Sequence, residues 1–177
     1  MKLSTRRLLT CGLVCLLPFL AQGSGSYGGR APRTKGARAA AAAHPSGERT
    51  LLNLDRKGVA LQGHDPVAFF TDGGPVKGDP QFQAEHGGAI YHFANRAHLE
   101  TFQASPAQYI PQFGGFCAMG VAMGKLLKVD VAASQVVNGR LLAQKDAKVR
   151  DMFNQDPEGN LQKADAQWPG LLARKGR

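Results

Sequence analysis

The stretch YHFANRAHLETFQASPAQYIPQFGGFCAMG, residues 91–120, decides what architecture to expect. Its start alternates like the end of a strand, with Tyr91 and Phe93 on one face and His92 on the other with Ile90. Asn95 stands where a helix cap is wanted, and Leu99 and Phe102 follow at a spacing of three. Ser105-Pro106 breaks that helix and restarts the chain into a helical turn ending near Tyr109. Pro111 and Gly114-Gly115 break it again. Residues 117–123 read as one more short helix, with Cys117 in its first turn.

The flanking sequence continues in short elements. FQAEHGGAIYHF (82–93) predicts a hairpin turning at Gly87-Gly88, and QVVNGRLLA (135–143) predicts a second, because Asn-Gly is the strongest two-residue turn signal. In GHDPVAFF (63–70), Asp65 caps and Pro66 opens a short helical turn. Val149, Met152 and Phe153 form an apolar helical stripe. Asp156-Pro157-Glu158 then caps a last helix running towards Trp168. The expectation is an α+β fold: a small single domain of short β-hairpins packed with short helices, over residues 50–173. No internal repeat is apparent.

The rest of the chain reads differently. Residues 1–23 have a basic start, an apolar run over 8–20 and small residues at Ala21 and Gly23. That is a signal peptide, too short an apolar run for a membrane span, and it predicts export, in a bacterium to the periplasm. Arg6-Arg7 partly matches a twin-arginine signal, whereas Leu9-Thr10 match it poorly. Residues 24–49, rich in Gly, Ala and Arg, predict a disordered basic linker. Of the chain's net +9, the leader carries three, the linker a net four and the tail 174–177 three, which leaves residues 50–173 at about −1. A nucleic-acid partner is excluded on that ground, since its binder carries positive charge on the fold. Weak contact of linker or tail with an anionic membrane surface is compatible with it.

GHDPVAFF, the YHF…F…P…Y spacing, the GGFCAMG loop and DPEGNLQKADAQWPGL together resemble the YHS domain family in its exported single-domain branch. The resemblance spans nearly all of residues 58–172. It implies a metal-handling background, because YHS domains fused to heavy-metal pumps carry cysteine ligands after the DPV motif, after the aromatic strand and in the following helix. The matching positions here hold Ala68, Ala94 and His98, so the pump-type thiolate site does not carry over. Cys117 matches the cysteine of the exported branch. His64 stands where relatives carry a tyrosine.

Cys117 is the only thiol outside the leader, which holds Cys11 and Cys15. In the first turn of a helix a cysteine is drawn towards thiolate, and Gly114-Gly115 would let backbone amides approach an anion. A free cysteine is equally often a small buried apolar residue. Met119 and Met123 share a helical face, and soft sulfur ligands select Cu(I); the plain alternative is that both methionines fill the core. His98 or His64 would complete a metal set of Cys117, Met119 and Met123. No catalytic motif stands out, and the chain reads as non-enzymatic. Three functions follow: a module that binds or passes copper with a metal-trafficking partner; a thiol redox protein using Cys117 with a partner thiol; or a plain binding or assembly domain in which Cys117 only packs.

Overall fold

Asp65 begins the ordered elements as its spacing predicts. In this computed structural model, which describes residues 49–176, Asp65 Oδ1 accepts the Val67 N–H at 2.8 Å and the Ala68 N–H at 3.3 Å. Helix α1 (Ala68–Thr71) follows. Strands β1 (Asp79–His86) and β2 (Ala89–Phe93) form the first hairpin, closed by Gly87 and Gly88, both at positive φ. Tyr91 and Phe93 point into the core, His92 and Ile90 away. Asn95 caps α2 (Arg96–Ala104) through the His98 N–H, and Pro106 opens α3 (Pro106–Tyr109). Helix α4 (Ala118–Ala122) is one short turn. Strands β3 (Asp130–Val137) and β4 (Arg140–Gln144) form the second hairpin around Asn138-Gly139. Asp146 caps α5 (Ala147–Phe153), and Asp156 caps α6 (Pro157–Lys175). The fold is therefore α+β, two hairpins among short helices. The leader and all of the linker except Arg49 lie outside the described residues.

The same unit is built twice, which corrects the expectation of no internal repeat. The first copy starts with three consecutive left-handed residues, Leu61, Gln62 and Gly63, at φ 50, 53 and 76°. The second starts with Phe113, Gly114 and Gly115 at φ 53, 59 and 78°. Two residues later each copy takes an equivalent bond to the strand-entry segment: Asp65 N–H to Val76 O at 2.9 Å, Cys117 N–H to Leu127 O at 3.3 Å. A short helix and an eight- plus five-residue hairpin follow in both. Asp79 pairs with Phe93 and Asp130 with Gln144, and in both ladders a bulge separates this pair from the regular register. Asn95 and Asp146 then cap equivalent helices, and Pro106 and Pro157 open the next.

Each copy has its own core. Val67, Ala89, Tyr91, Phe93, Phe102 and Tyr109 are clustered in the first, and Ala118, Val121, Leu142, Phe153, Leu161 and Ala164 in the second. A third cluster joins them: Leu61 and Phe69 from the first copy meet Val131 and Leu141 from the second. Phe102 and Phe153 occupy equivalent sites, both almost fully buried.

One helical expectation needs correction. Met152 is 46% exposed, so the stripe of α5 is Val149 and Phe153 alone, a spacing of four. Helix α6 runs to Trp168 as the cap at Asp156 suggests and continues through Pro169 to Lys175, with Arg174 and Lys175 of the basic tail in its last turn. Their charge there suits the negative end of the helix dipole.

Candidate functional site

Cys117 lies at the N-cap of α4, one position before the turn the sequence suggested. It is fully buried. The Gly120 N–H donates to its Sγ at 3.4 Å, and its S–H donates to Gln144 Oε1, also at 3.4 Å. Gln144 Oε1 accepts the Met119 N–H as well, at 3.2 Å, which fixes the orientation of the amide. The thiol is thus satisfied as donor and acceptor, whereas Gln144 Nε2, buried in the same place, has no partner among the described residues. Met119 is half-buried against the second core. Met123 is 58% exposed, which corrects the picture of both methionines filling the core.

Gly114-Gly115 are engaged within the chain itself. They admit the strap formed by residues 49–55: the Asn53 N–H donates to Gly114 O at 2.8 Å, and Asn53 Nδ2 donates to Gly115 O at 2.9 Å. A Cβ at Gly114 would collide with the Leu51 carbonyl. The glycines serve backbone-to-backbone contact.

His98 sits in the first copy. Its Nδ1 lies 2.6 Å from Asp65 Oδ2, and the Ala94 N–H donates to that oxygen at 2.8 Å. Its Nε2 faces Thr71 Oγ1 at 3.5 Å. Asp65 is fully buried, so four hydrogen bonds compensate its removal from water. His64 turns its Nδ1 to Leu61 O at 3.0 Å and stays half-buried. The five expected metal residues therefore do not converge: Cys117 is engaged with Gln144 and Gly120, His98 with Asp65 and Thr71, His64 with Leu61. Duplication explains the division. Asp65 and Cys117 are equivalent positions, as are Thr71 and Met123, and His98 and Val149, so the expected set is spread over two copies of one local site. Among the described residues no group of three or more His, Cys, Asp or Glu is placed to hold a metal ion.

A concave site that sequence reasoning missed lies between the copies. It is a cleft of about 370 Å³, with a wall from the strap (Arg49, Leu51), the first hairpin (Tyr91), the second left-handed turn (Phe113) and α6 (Trp168). Phe113 and Trp168 meet edge to face, centroids 5.8 Å apart, and Arg140 lies over the Phe113 ring at 5.5 Å. Arg140 is itself held by Asp165, at 2.7 and 2.9 Å, and by Gln112 Oε1. A phenylalanine in the left-handed region is costly, about 1–2 kcal/mol, and such strain concentrates at functional sites. Tyr91 is 4% exposed, and burial pushes its phenol up to about 12. Its hydroxyl has no hydrogen-bond partner among the described residues. The signal available in the sequence was the spread of aromatic residues at 91, 113 and 168, but nothing local says that they meet.

No protein-family model, no curated protein and no solved structure matches the chain.

Proposed function

We propose that the chain is an exported, non-enzymatic binding module of the YHS type whose ligand occupies the cleft between its two copies, with Cys117 serving the fold. The observation that carries this reading is the cleft itself: about 370 Å³, walled by Tyr91, Phe113 and Trp168, and with the left-handed Phe113 held in place at its edge. That volume is typical of small-molecule sites, which favour the junction between two packed units, and the wall mixes apolar side chains with polar ones at Arg49, Thr50, His86, Tyr91 and Gln112. Thiol redox chemistry, and copper handling centred on Cys117, both need that sulfur to be reachable. Cys117 Sγ is instead buried and bonded on both its donor and acceptor sides. Export rests on residues 1–23 and the YHS assignment on the motifs of residues 58–172.

Two measurements test the reading. Aromatic fragments, neutral and charged, screened by NMR against the full chain should shift the backbone resonances of Tyr91, Phe113 and Trp168; shifts confined to other residues would sink the cleft. Cu(I) titration by native mass spectrometry should show no uptake that depends on Cys117. Stoichiometric copper lost in Cys117→Ser would overturn the reading in favour of soft-metal handling.

A further inference from the structure

The groups that line the cleft differ in what they offer a ligand. Arg49 and the Trp168 indole are donors only, and Tyr91 presents a phenol hydroxyl. Gln112 also lines the cleft, but its amide oxygen is committed to Arg140 Nε and Nη2 at 3.2 and 3.0 Å, so it has only its NH₂ to give. Arg49 donates one N–H to the Ala173 carbonyl, and a guanidinium has five. No aspartate or glutamate is among the described lining residues. Thr50 and His86 add a hydroxyl and an imidazole, so a ligand here meets one permanent cation, Arg49, at the strap end, polar side chains beside it, and an apolar stretch at Ile110, Phe113 and Trp168.

We infer that the ligand of this cleft is a small apolar carboxylate, bound with its carboxylate at Arg49 and its aryl or branched hydrocarbon body between Ile110, Phe113 and Trp168. The inference rests on the reading of the cleft as the ligand site. A single lining arginine matches one negative charge, and a guanidinium–carboxylate pair is the strong, planar form of that contact. Tyr91 lies deeper, where burial keeps its phenol protonated and able to donate. An apolar tail suits the stretch formed by Ile110, Phe113 and Trp168, which offers a polar body little to replace its lost water.

Trp168 is the only tryptophan of the chain, so its fluorescence reports this cleft in the whole 177-residue chain. The probes are phenylacetate and phenylacetamide, which have nearly the same shape and differ in charge. Phenylacetate is expected to perturb Trp168 emission with an affinity at least about tenfold above the amide, the usual worth of a charge-assisted hydrogen bond. In Arg49→Gln the acid should fall to the affinity of the amide, and Tyr91→Phe should weaken it further. Equal binding of acid and amide would overturn the carboxylate while leaving the cleft in place. So would failure of both when other neutral aromatics still perturb Trp168. An acid whose affinity survives Arg49→Gln also overturns the inference. Failure of every fragment would remove the inference and the cleft reading together.

Discussion

Cys117 shows how one residue's role depends on what surrounds it. Its sulfur accepts from Gly120 and its S–H reaches Gln144, so it caps α4 and anchors the end of β4. Peptide mapping of iodoacetamide adducts should find Cys117 alkylated about 100-fold more slowly in the native protein than in urea, an opening cost of roughly 3 kcal/mol. A native rate equal to the unfolded one would show the thiol to be accessible. Cys117→Ala should cost about 1–2 kcal/mol, and Cys117→Ser less, since a hydroxyl keeps both hydrogen bonds. Two of the groups whose titration the fold shifts act at opposite ends of the pH range. Burial holds the His92 imidazole below its ordinary value of 6.5. The folded protein therefore binds fewer protons than the unfolded chain, and this contribution, full above 6.5, is lost as pH falls through the lowered folded value. Tyr91 acts at the other end: the unfolded phenol ionises first, so stability is lost from 10.0 upward to about 12. Urea midpoints measured across both windows should fall at each end. His92→Gln should flatten the acid limb and Tyr91→Phe the alkaline one.

At the scale of elements, local chemistry and close approach divide the work. Helix starts were legible because a cap acts within its own turn: Asp65, Asn95 and Asp156 each accept backbone N–H groups as their spacing predicts. The hairpin turns were legible for the same reason, since Gly87-Gly88 and Asn138-Gly139 supply the positive φ that such turns need. The stripe of α5 was read one residue too wide, because spacing tells which residues share a face and not what covers it. Met152 is equivalent to Thr101 on the solvent side of α2. The second left-handed turn was legible only as a break at Gly114-Gly115, not as a contact. Its Gly114 meets the strap backbone from residues far away in the chain. Gly114→Ala should destabilise by about 3 kcal/mol or more, combining a left-handed φ with a collision against Leu51. Gly74→Ala, where an added Cβ meets nothing within 4 Å, should stay within about 0.5 kcal/mol. Thermal unfolding of the two variants side by side checks the contrast, and equal melting points would remove the strap's claim on Gly114.

For the whole molecule, the two copies make a test of cooperativity. Trp168 reports the second copy, while Tyr91 belongs to the first; Leu61, Phe69, Val131 and Leu141 form a core shared between them. Urea unfolding followed by Trp168 fluorescence and by first-copy amide NMR signals should give one coincident transition. Leu141→Ala should lower both midpoints together, by about 2–5 kcal/mol in stability. Separate transitions would mean that the shared core does not couple the copies. By itself the sequence determined the element types, their caps and turns, and the α+β class, because these depend on φ preferences and hydrogen bonds within a few residues. The duplication was hidden from it. The copies share identities chiefly where geometry demands a residue, such as Gly63 and Gly115, Asp79 and Asp130, Gly88 and Gly139, Phe102 and Phe153, or Pro106 and Pro157. Between those positions burial constrains size and polarity far more loosely than identity. Only the tertiary structure decided that Cys117 is enclosed, that His98 belongs to Asp65 in the other copy, and that Tyr91, Phe113 and Trp168 enclose one cleft. Each of those outcomes depends on which distant segments fill the same space, a matter of packing that no local pattern encodes.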